Sequence, residues 1–166
     1  MAKITVSGNE KPILDYELIR ERLKAIGLDY ERFEFTHRVR SDSDAAEILS
    51  AFADEIEQLK ARNGYKSADV INVSNSTPGL DEMLERFRRE HWHDEDEVRL
   101  VLKGRGVFYI NKPEGFITEI EVEPGDMISV PRGTHHWFDL CSEREITAIR
   151  LFQEPNGWIP HYVSQV

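Results

Sequence analysis

A chain of 166 residues, 40% hydrophobic and 31% charged, has the composition of an ordinary globular protein long enough to bury a core. No run approaches the roughly 18 apolar residues a membrane span needs, and the opening MAKITVSGNEKP has no apolar stretch that would direct export. A net charge of −10 argues against a phosphate-binding face, and the single cysteine, Cys141, rules out an internal disulfide and fits a reducing cytoplasm.

In chain order, "ITV" near the start reads as a strand. Ile19, Leu23 and Ile26 then follow a helical spacing that stops at Gly27. Asp44 with Glu47 resembles a capping box, and Ala45, Ile48, Leu49, Phe52, Ile56 and Leu59 make the stripe of one longer helix ending at Gly64. A third helix starts at Thr77-Pro78, where proline's missing N–H costs nothing, with Leu80, Met83, Leu84 and Phe87 as its apolar face. These helices carry no evident chemistry and make residues 1–89 a mainly helical flank.

From His91 onward the pattern becomes β. "EVRLVL", "GVFYI", "FITEIEV", "MISV", "HHWFDL" and "ITAIRLF" are short and rich in Val, Ile, Phe and Thr. Between them stand the turn signals "KGRG", "NKPEG", "EPGD", "PRGT" and "CSERE", the first read as a hairpin turn. Short strands at regular spacing predict an antiparallel sandwich or small barrel, and helices packed outside make the class α+β. With no repeat or linker the expectation is one domain, with a β core over 90–153 and a C-terminal tail over 154–166.

The segment "EHWHDEDEVR", Glu90 to Arg99, crowds two histidines, five acids and an arginine into ten positions. On a strand, residues two apart face one way, about 6.6 Å from each other. His91, His93 and Glu97 therefore share a side, and imidazoles with a carboxylate suit Zn²⁺, Fe²⁺ or Ni²⁺ better than Ca²⁺ or Mg²⁺. A further histidine is available in "PRGTHHWFD", but His135 and His136 must face opposite ways and periodicity does not choose between them. His37 and His161 fall outside the β core and read as surface or structural. Cys141 has no partner or thiolate-activating signature. Arg99 has the parity of Glu97, while Val98, Leu100 and Leu102 face the helical layer. An inward guanidinium needs an anion, either Glu97 or Asp96 or a bound ligand.

His91-x-His93-x-x-x-Glu97 closed by Gly104 is similar to the first motif of the cupin superfamily. Gly125 to Pro131 with Gly133 to His136 is similar to the second, and that resemblance selects His136. "EHWHDEDEVR", "HWFD", "PNGWI" and the N-terminal "ITV" and "AIGLDYERFEF" more closely resemble the acireductone dioxygenase family of methionine salvage. The resemblance implies a jelly-roll-like cupin barrel and one Fe²⁺ per chain, with Ni²⁺ as alternative, on His91, His93, Glu97 and His136. It implies that Arg99 helps generate the substrate dianion, that Glu90 assists metal incorporation and that Asp96 transmits local changes. The implied substrates are O₂ and 1,2-dihydroxy-3-keto-5-methylthiopentene, with no nucleic-acid or membrane partner and a monomeric state. Fe²⁺ would yield formate and 4-methylthio-2-oxobutanoate; Ni²⁺ would yield 3-methylthiopropanoate, formate and CO. Another metal cupin, oxalate-degrading or sugar-isomerising, and a non-enzymatic cupin sensor are the competing readings. Four protein ligands on an octahedral ion would leave two positions for a chelating enediolate, and His₃Glu would leave a net positive charge.

Overall fold

The computed structural model describes residues 1–9, 11–35, 39–40, 42–155 and 158–164. His37 lies outside the described residues, as do Asn156 and Gly157 of "PNGWI". The N-terminal half carries β1 (Lys3–Val6), α1 (Tyr16–Ala25), β2 (Asp29–Arg32), α2 (Ala45–Ala51), α3 (Ala53–Asn63), β3 (Ser67–Val73) and α4 (Leu80–Arg88). There follow β4 (His91–Trp92), β5 (Glu97–Gly104), β6 (Gly106–Asn111) and β7 (Ile117–Val122). The last four strands are β8 (Asp126–Val130), β9 (His135–Leu140), β10 (Ile146–Phe152) and β11 (His161–Tyr162).

Two antiparallel sheets result, ordered β1-β7-β6-β9-β4-β11 and β2-β8-β5-β10-β3. Together with the four helices they make the α+β architecture that the strand pattern predicts, in the form of the cupin-type barrel that the resemblance implies. The connections differ from expectation in one respect. "NKPEG" joins β6 and β7, which pair as a hairpin. "KGRG", "EPGD", "PRGT" and "CSERE" each join strands of opposite sheets, so "KGRG" is a corner and not a hairpin turn. Gly104 explains how that corner is made: its φ is +75°, and a Cβ there would sit 2.1 Å from the carbonyl oxygen of Glu145.

The helical flank is less purely helical than its sequence predicts, since β1, β2 and β3 pair with β7, β8 and β10 and extend both sheets. "SADVINV" and "DYER" lack a clean alternation, and pairing with apolar neighbours decides their state. The longer helix is two helices. Asp44 and Glu47 do form a capping box, but Phe52 leaves helical geometry between α2 and α3. Phe52 is fully buried and meets Phe35 edge-on at 4.9 Å, so tertiary packing, not a breaker residue, bends the stripe. The third helix begins at Leu80 after a left-handed Gly79, leaving Thr77-Pro78 in the preceding turn.

Strand β5 organises the interior. Val98, Leu100 and Leu102 pack outward against Ile48, Phe52, Ile56 and Leu59 of the α2–α3 layer. Each such burial contributes about 1.5–3 kcal/mol. On the inner face, Val101 joins Phe108, Ile110, Ile120, Ile128 and Phe138 in the cluster that fills the middle of the barrel. Glu97 and Arg99 precede Val101 on that face, so they stand at one end, above the apolar plug. No described helix is long and apolar enough to cross a membrane.

Candidate metal centre

"EHWHDEDEVR" is not one strand. β4 ends at Trp92, the chain bends over residues 93–96, and β5 starts at Glu97 in the other sheet. Parity along a single strand therefore does not unite His91, His93 and Glu97; a bend between two sheets does. Its geometry is held by the acids themselves. Glu95, 5% exposed, accepts from the main-chain N–H groups of Gln153 and Glu154 at 3.3 and 3.1 Å. Asp96 accepts from the Arg132 N–H at 2.9 Å and from the Gln153 amide at 3.3 Å. The His93 carbonyl accepts from the Gly133 N–H at 2.9 Å, tying the bend to the "PRGT" corner. The charge crowding is thereby sorted: Glu95 and Asp96 brace the loop, Asp94 faces His161 at 2.7 Å, and of the five acids Glu97 is the one that joins the histidines.

His136 of β9 lies opposite His91 of β4 in the sheet register. Its side chain is inward and nearly fully buried, whereas His135 points outward, half exposed, with Nδ1 3.4 Å from Glu90 Oε1. Glu90 also accepts from the Asn111 amide at 2.9 Å. His161 is not outside the sheets: β11 pairs with β4, and its ring stacks on Trp92 at 4.3 Å.

His91, His93, Glu97 and His136, all buried, bring their ligand atoms within 4.8 Å of one another. Each imidazole Nδ1 meets a main-chain carbonyl: Arg89 at 2.6 Å, Ile159 at 3.1 Å and Thr134 at 2.8 Å. A carbonyl only accepts, so each Nδ1 carries a proton, and Nε2 of each ring is the atom turned to the site, able to offer a lone pair to a metal once it carries no proton of its own. The Nε2 atoms of His93 and His136 both stand 2.9 Å from Glu97 Oε2. Imidazole nitrogens this close to a carboxylate share a proton or a metal ion with it, and this donor set fits a divalent transition ion. Burial foremost pushes His91 down to about 4, keeping it in the neutral, ligating form. For His93 burial is again the largest influence and works against the charge, but the hydrogen bond and the charge of Glu97, with the Ile159 carbonyl, together outweigh it and the net shift is upward. Burial opposes the charge of Glu97 as well, yet Arg99 and the facing imidazoles hold its carboxyl well below the usual range.

Arg99 donates from Nε to Glu97 Oε1 at 2.8 Å, so the ion pair weighed from sequence is present. It leaves Nη1 buried with no hydrogen-bond partner among the described residues. Its guanidinium lies 4.8 Å from the Phe138 ring centre and 5.4 Å from that of Trp158, whose Nε1 is also buried and without a partner among the described residues. These groups line a cavity of about 170 Å³ together with the four candidate ligands. Phe87, Pro160 and Tyr162 supply much of the remaining wall. Trp158 and Arg150, also in this wall, are residues that sequence reasoning passed over. Arg150 had a signal, as the one charge within "ITAIRLF"; Trp158 stood inside "PNGWI" but had no assignable task.

Relatives carry the same architecture. A Bacillus cereus acireductone dioxygenase is 48% identical over 170 residues, covering 98% of this chain and 100% of the relative. The Geobacillus kaustophilus acireductone dioxygenase is 41% identical over 171 residues, covering 97% and 94%. The solved structure of acireductone dioxygenase from Bacillus anthracis, with a cadmium ion in its active centre, superposes with a TM-score of 0.88 at 39% identity, covering 98% of both chains. The model of the ARD/ARD′ family matches residues 17–160, and with these relatives it makes this chain a member of the acireductone dioxygenase family.

Proposed function

We propose that this chain is a metal-dependent dioxygenase that cleaves 1,2-dihydroxy-3-keto-5-methylthiopentene with O₂, and that His91, His93, Glu97 and His136 hold its ion. One observation carries the reading: three imidazoles fixed at Nδ1 gather around a single carboxylate, two of them with Nε2 2.9 Å from it, beside an arginine with an N–H unpartnered among the described residues, inside one cavity. A divalent ion there would act as a Lewis acid on two adjacent substrate oxygens. The protein's own groups do the rest. Arg99 Nη1 donates to a substrate oxygen and favours loss of the second enediol proton, because a nearby cation stabilises the charged form. Phe87, Phe138 and Trp158 supply an apolar wall that keeps water from the dianion and accommodates the methylthio tail.

Fe²⁺ and Ni²⁺ are both served by this donor set, so metal supply decides the product. With Fe²⁺ substrate plus O₂ gives formate and 4-methylthio-2-oxobutanoate. With Ni²⁺ the same atoms leave as 3-methylthiopropanoate, formate and CO. A monomer in the cytoplasm is in keeping with the single cysteine and the acidic composition. The test is to load metal-free protein separately with Fe²⁺ and Ni²⁺, add freshly generated acireductone in air, and identify products. Formate from both forms and CO from the nickel form alone is the expected result. No acireductone-dependent O₂ uptake with either metal ends the reading.

A further inference from the structure

The inner face of β5, β10 and β3 carries a row of charge across three strands. Arg150 lies directly opposite Arg99 in one ladder and directly opposite Asp69 in the other. Two like charges facing each other across a ladder are unfavourable. Arg99 is neutralised by Glu97, and Arg150 by Asp69, which accepts from its Nε at 2.7 Å and its Nη2 at 2.6 Å. Nη1 of Arg150 makes no hydrogen bond among the described residues. The Trp158 ring touches both cations, 5.4 Å from the Arg99 guanidinium carbon and 5.3 Å from that of Arg150.

Position separates the two arginines. The Arg99 side chain is 6% exposed and lies deep; that of Arg150 is 29% exposed and nearer the mouth of the same cavity. As a brace the Arg150–Asp69 pair contributes little, because Asp69 is half exposed on an edge strand. A neutral side chain would also avoid facing Arg99. What the pair does achieve is a guanidinium held in a fixed plane with one donor left over, which is how arginine recognises an oxyanion. An acireductone head carries three oxygens on adjacent carbons. If two are taken by the ion, the third and the displaced charge still need donors.

We propose that Arg150, oriented by Asp69, is a second substrate-anchoring cation, donating from Nη1 to an oxygen of the anionic enediol near the cavity mouth. This rests on the acireductone reading above. Arg99 and Arg150 then hold the substrate from the same wall at two depths, and Asp69 is a positioning residue that also moderates the field.

The test is anaerobic equilibrium binding of acireductone to nickel-loaded wild type, Arg150→Gln, Arg150→Lys and Asp69→Asn, with metal content and the steady-state KM and kcat measured on the same samples. Arg150→Gln should bind metal normally but raise Kd and KM about tenfold, the size of one charge-assisted hydrogen bond, with a smaller change in kcat. Arg150→Lys should recover part of that loss. Asp69→Asn keeps the cation and one of its two acceptors, so its Kd should change much less than that of Arg150→Gln. A rise of Kd in Asp69→Asn equal to that in Arg150→Gln would mean that the pair only braces the wall, and overturns the proposal. Wild type that binds and consumes acireductone while Arg150→Gln binds equally well overturns it alone. Wild type that does neither removes the functional reading and this inference with it.

Discussion

The two ends of the barrel each bury a carboxylate beside an arginine, and they are built on opposite principles. At one end is Glu97; at the other is Asp126, first residue of β8, whose last residue, Val130, pairs with Glu97. Asp126 is fully buried and every acceptor has a fixed donor. Its Oδ1 accepts from the Tyr30 hydroxyl at 2.6 Å and from Arg32 at 2.9 Å, and its Oδ2 from the Glu123 N–H at 2.8 Å. The Tyr30 hydroxyl in turn accepts from the Ala2 N–H at 3.2 Å. Glu97 faces two imidazoles whose Nδ1 protons are committed to main-chain carbonyls, and an arginine that pairs with it yet has one buried donor without a partner among the described residues. A saturated buried carboxylate is a structural lock. One gathered with metal-ligating nitrogens and a spare donor is a receptacle for something not yet bound.

The sharpest way to break the comparison is to remove the ligands. Glu97→Gln and His136→Ala should each cut bound metal to a small fraction of one ion per chain and lower turnover by at least about 100-fold. His135→Ala, on the outward face, should keep both. Metal analysis after dialysis decides, and full occupancy in His136→Ala would mean that the receptacle is elsewhere.

Arg99→Ala comes next. It should retain its ion but lose turnover by about 10²–10³-fold, the loss expected when a charge-stabilising donor is removed from a buried site, with Arg99→Lys recovering only part. Equal rates in wild type and Arg99→Ala, measured as O₂ uptake on metal-matched samples, would make Arg99 a mere counter-ion of Glu97.

Asp126→Asn tests the lock. Arg32 and the Tyr30 hydroxyl would lose their anionic acceptor, at a cost of about 2–3 kcal/mol in urea unfolding. Metal content and kcat/KM of the folded fraction should not change. A change in metal affinity comparable to that in Glu97→Gln would erase the distinction between the two ends.

How far sequence alone reached follows the same division. The C-terminal strands were legible because alternation and turn residues agree there, as in β6 and β7 either side of "NKPEG". The set His91, His93, Glu97 was reached by a parity argument that the bend at 93–96 invalidates. The residue types carried it, since few other environments suit two imidazoles and an inward acid. The inward side of Arg99 was read correctly because β5 itself is regular from Glu97. Strand β3, the break at Phe52 and the corner role of "KGRG" were not legible. Each depends on a partner distant in the chain: β10, Phe35, and the opposite sheet. Arg150 escaped for the same reason, because its meaning lies in Arg99 across one ladder and Asp69 across the other.

Smaller effects sharpen the contrast around the loop. We propose that Asp96, by clasping the Arg132 N–H and the Gln153 amide, relays the position of the bend to the neighbouring corner, and that Glu90 assists metal loading. Asp96→Ala should weaken metal retention and turnover about tenfold, the low end of what residues behind metal ligands contribute. Glu90→Ala should slow the uptake of metal by metal-free protein by a similar factor and leave the loaded enzyme's rate alone. Uptake and activity at wild-type levels in both variants would reduce these acids to loop solvation.

The smallest effect is confined to the lock and appears only in alkali. Burial first, and then the bond to Asp126, raise the Tyr30 phenol well above its ordinary value. Its folded pKa exceeds the unfolded one, so this contribution to stability is complete below about pH 10 and drains away as the pH climbs towards the folded value. Tyr30→Phe removes the hydroxyl, costs about 1 kcal/mol near neutrality and should flatten the alkaline decline. Tyr65, also raised by burial, keeps part of the slope in both proteins. Urea midpoints of metal-free wild type and variant, taken from about pH 8 to about pH 11, give the answer. Parallel curves would mean that Tyr30 ionises as freely in the barrel as in the unfolded chain, and the saturated end would then be no lock.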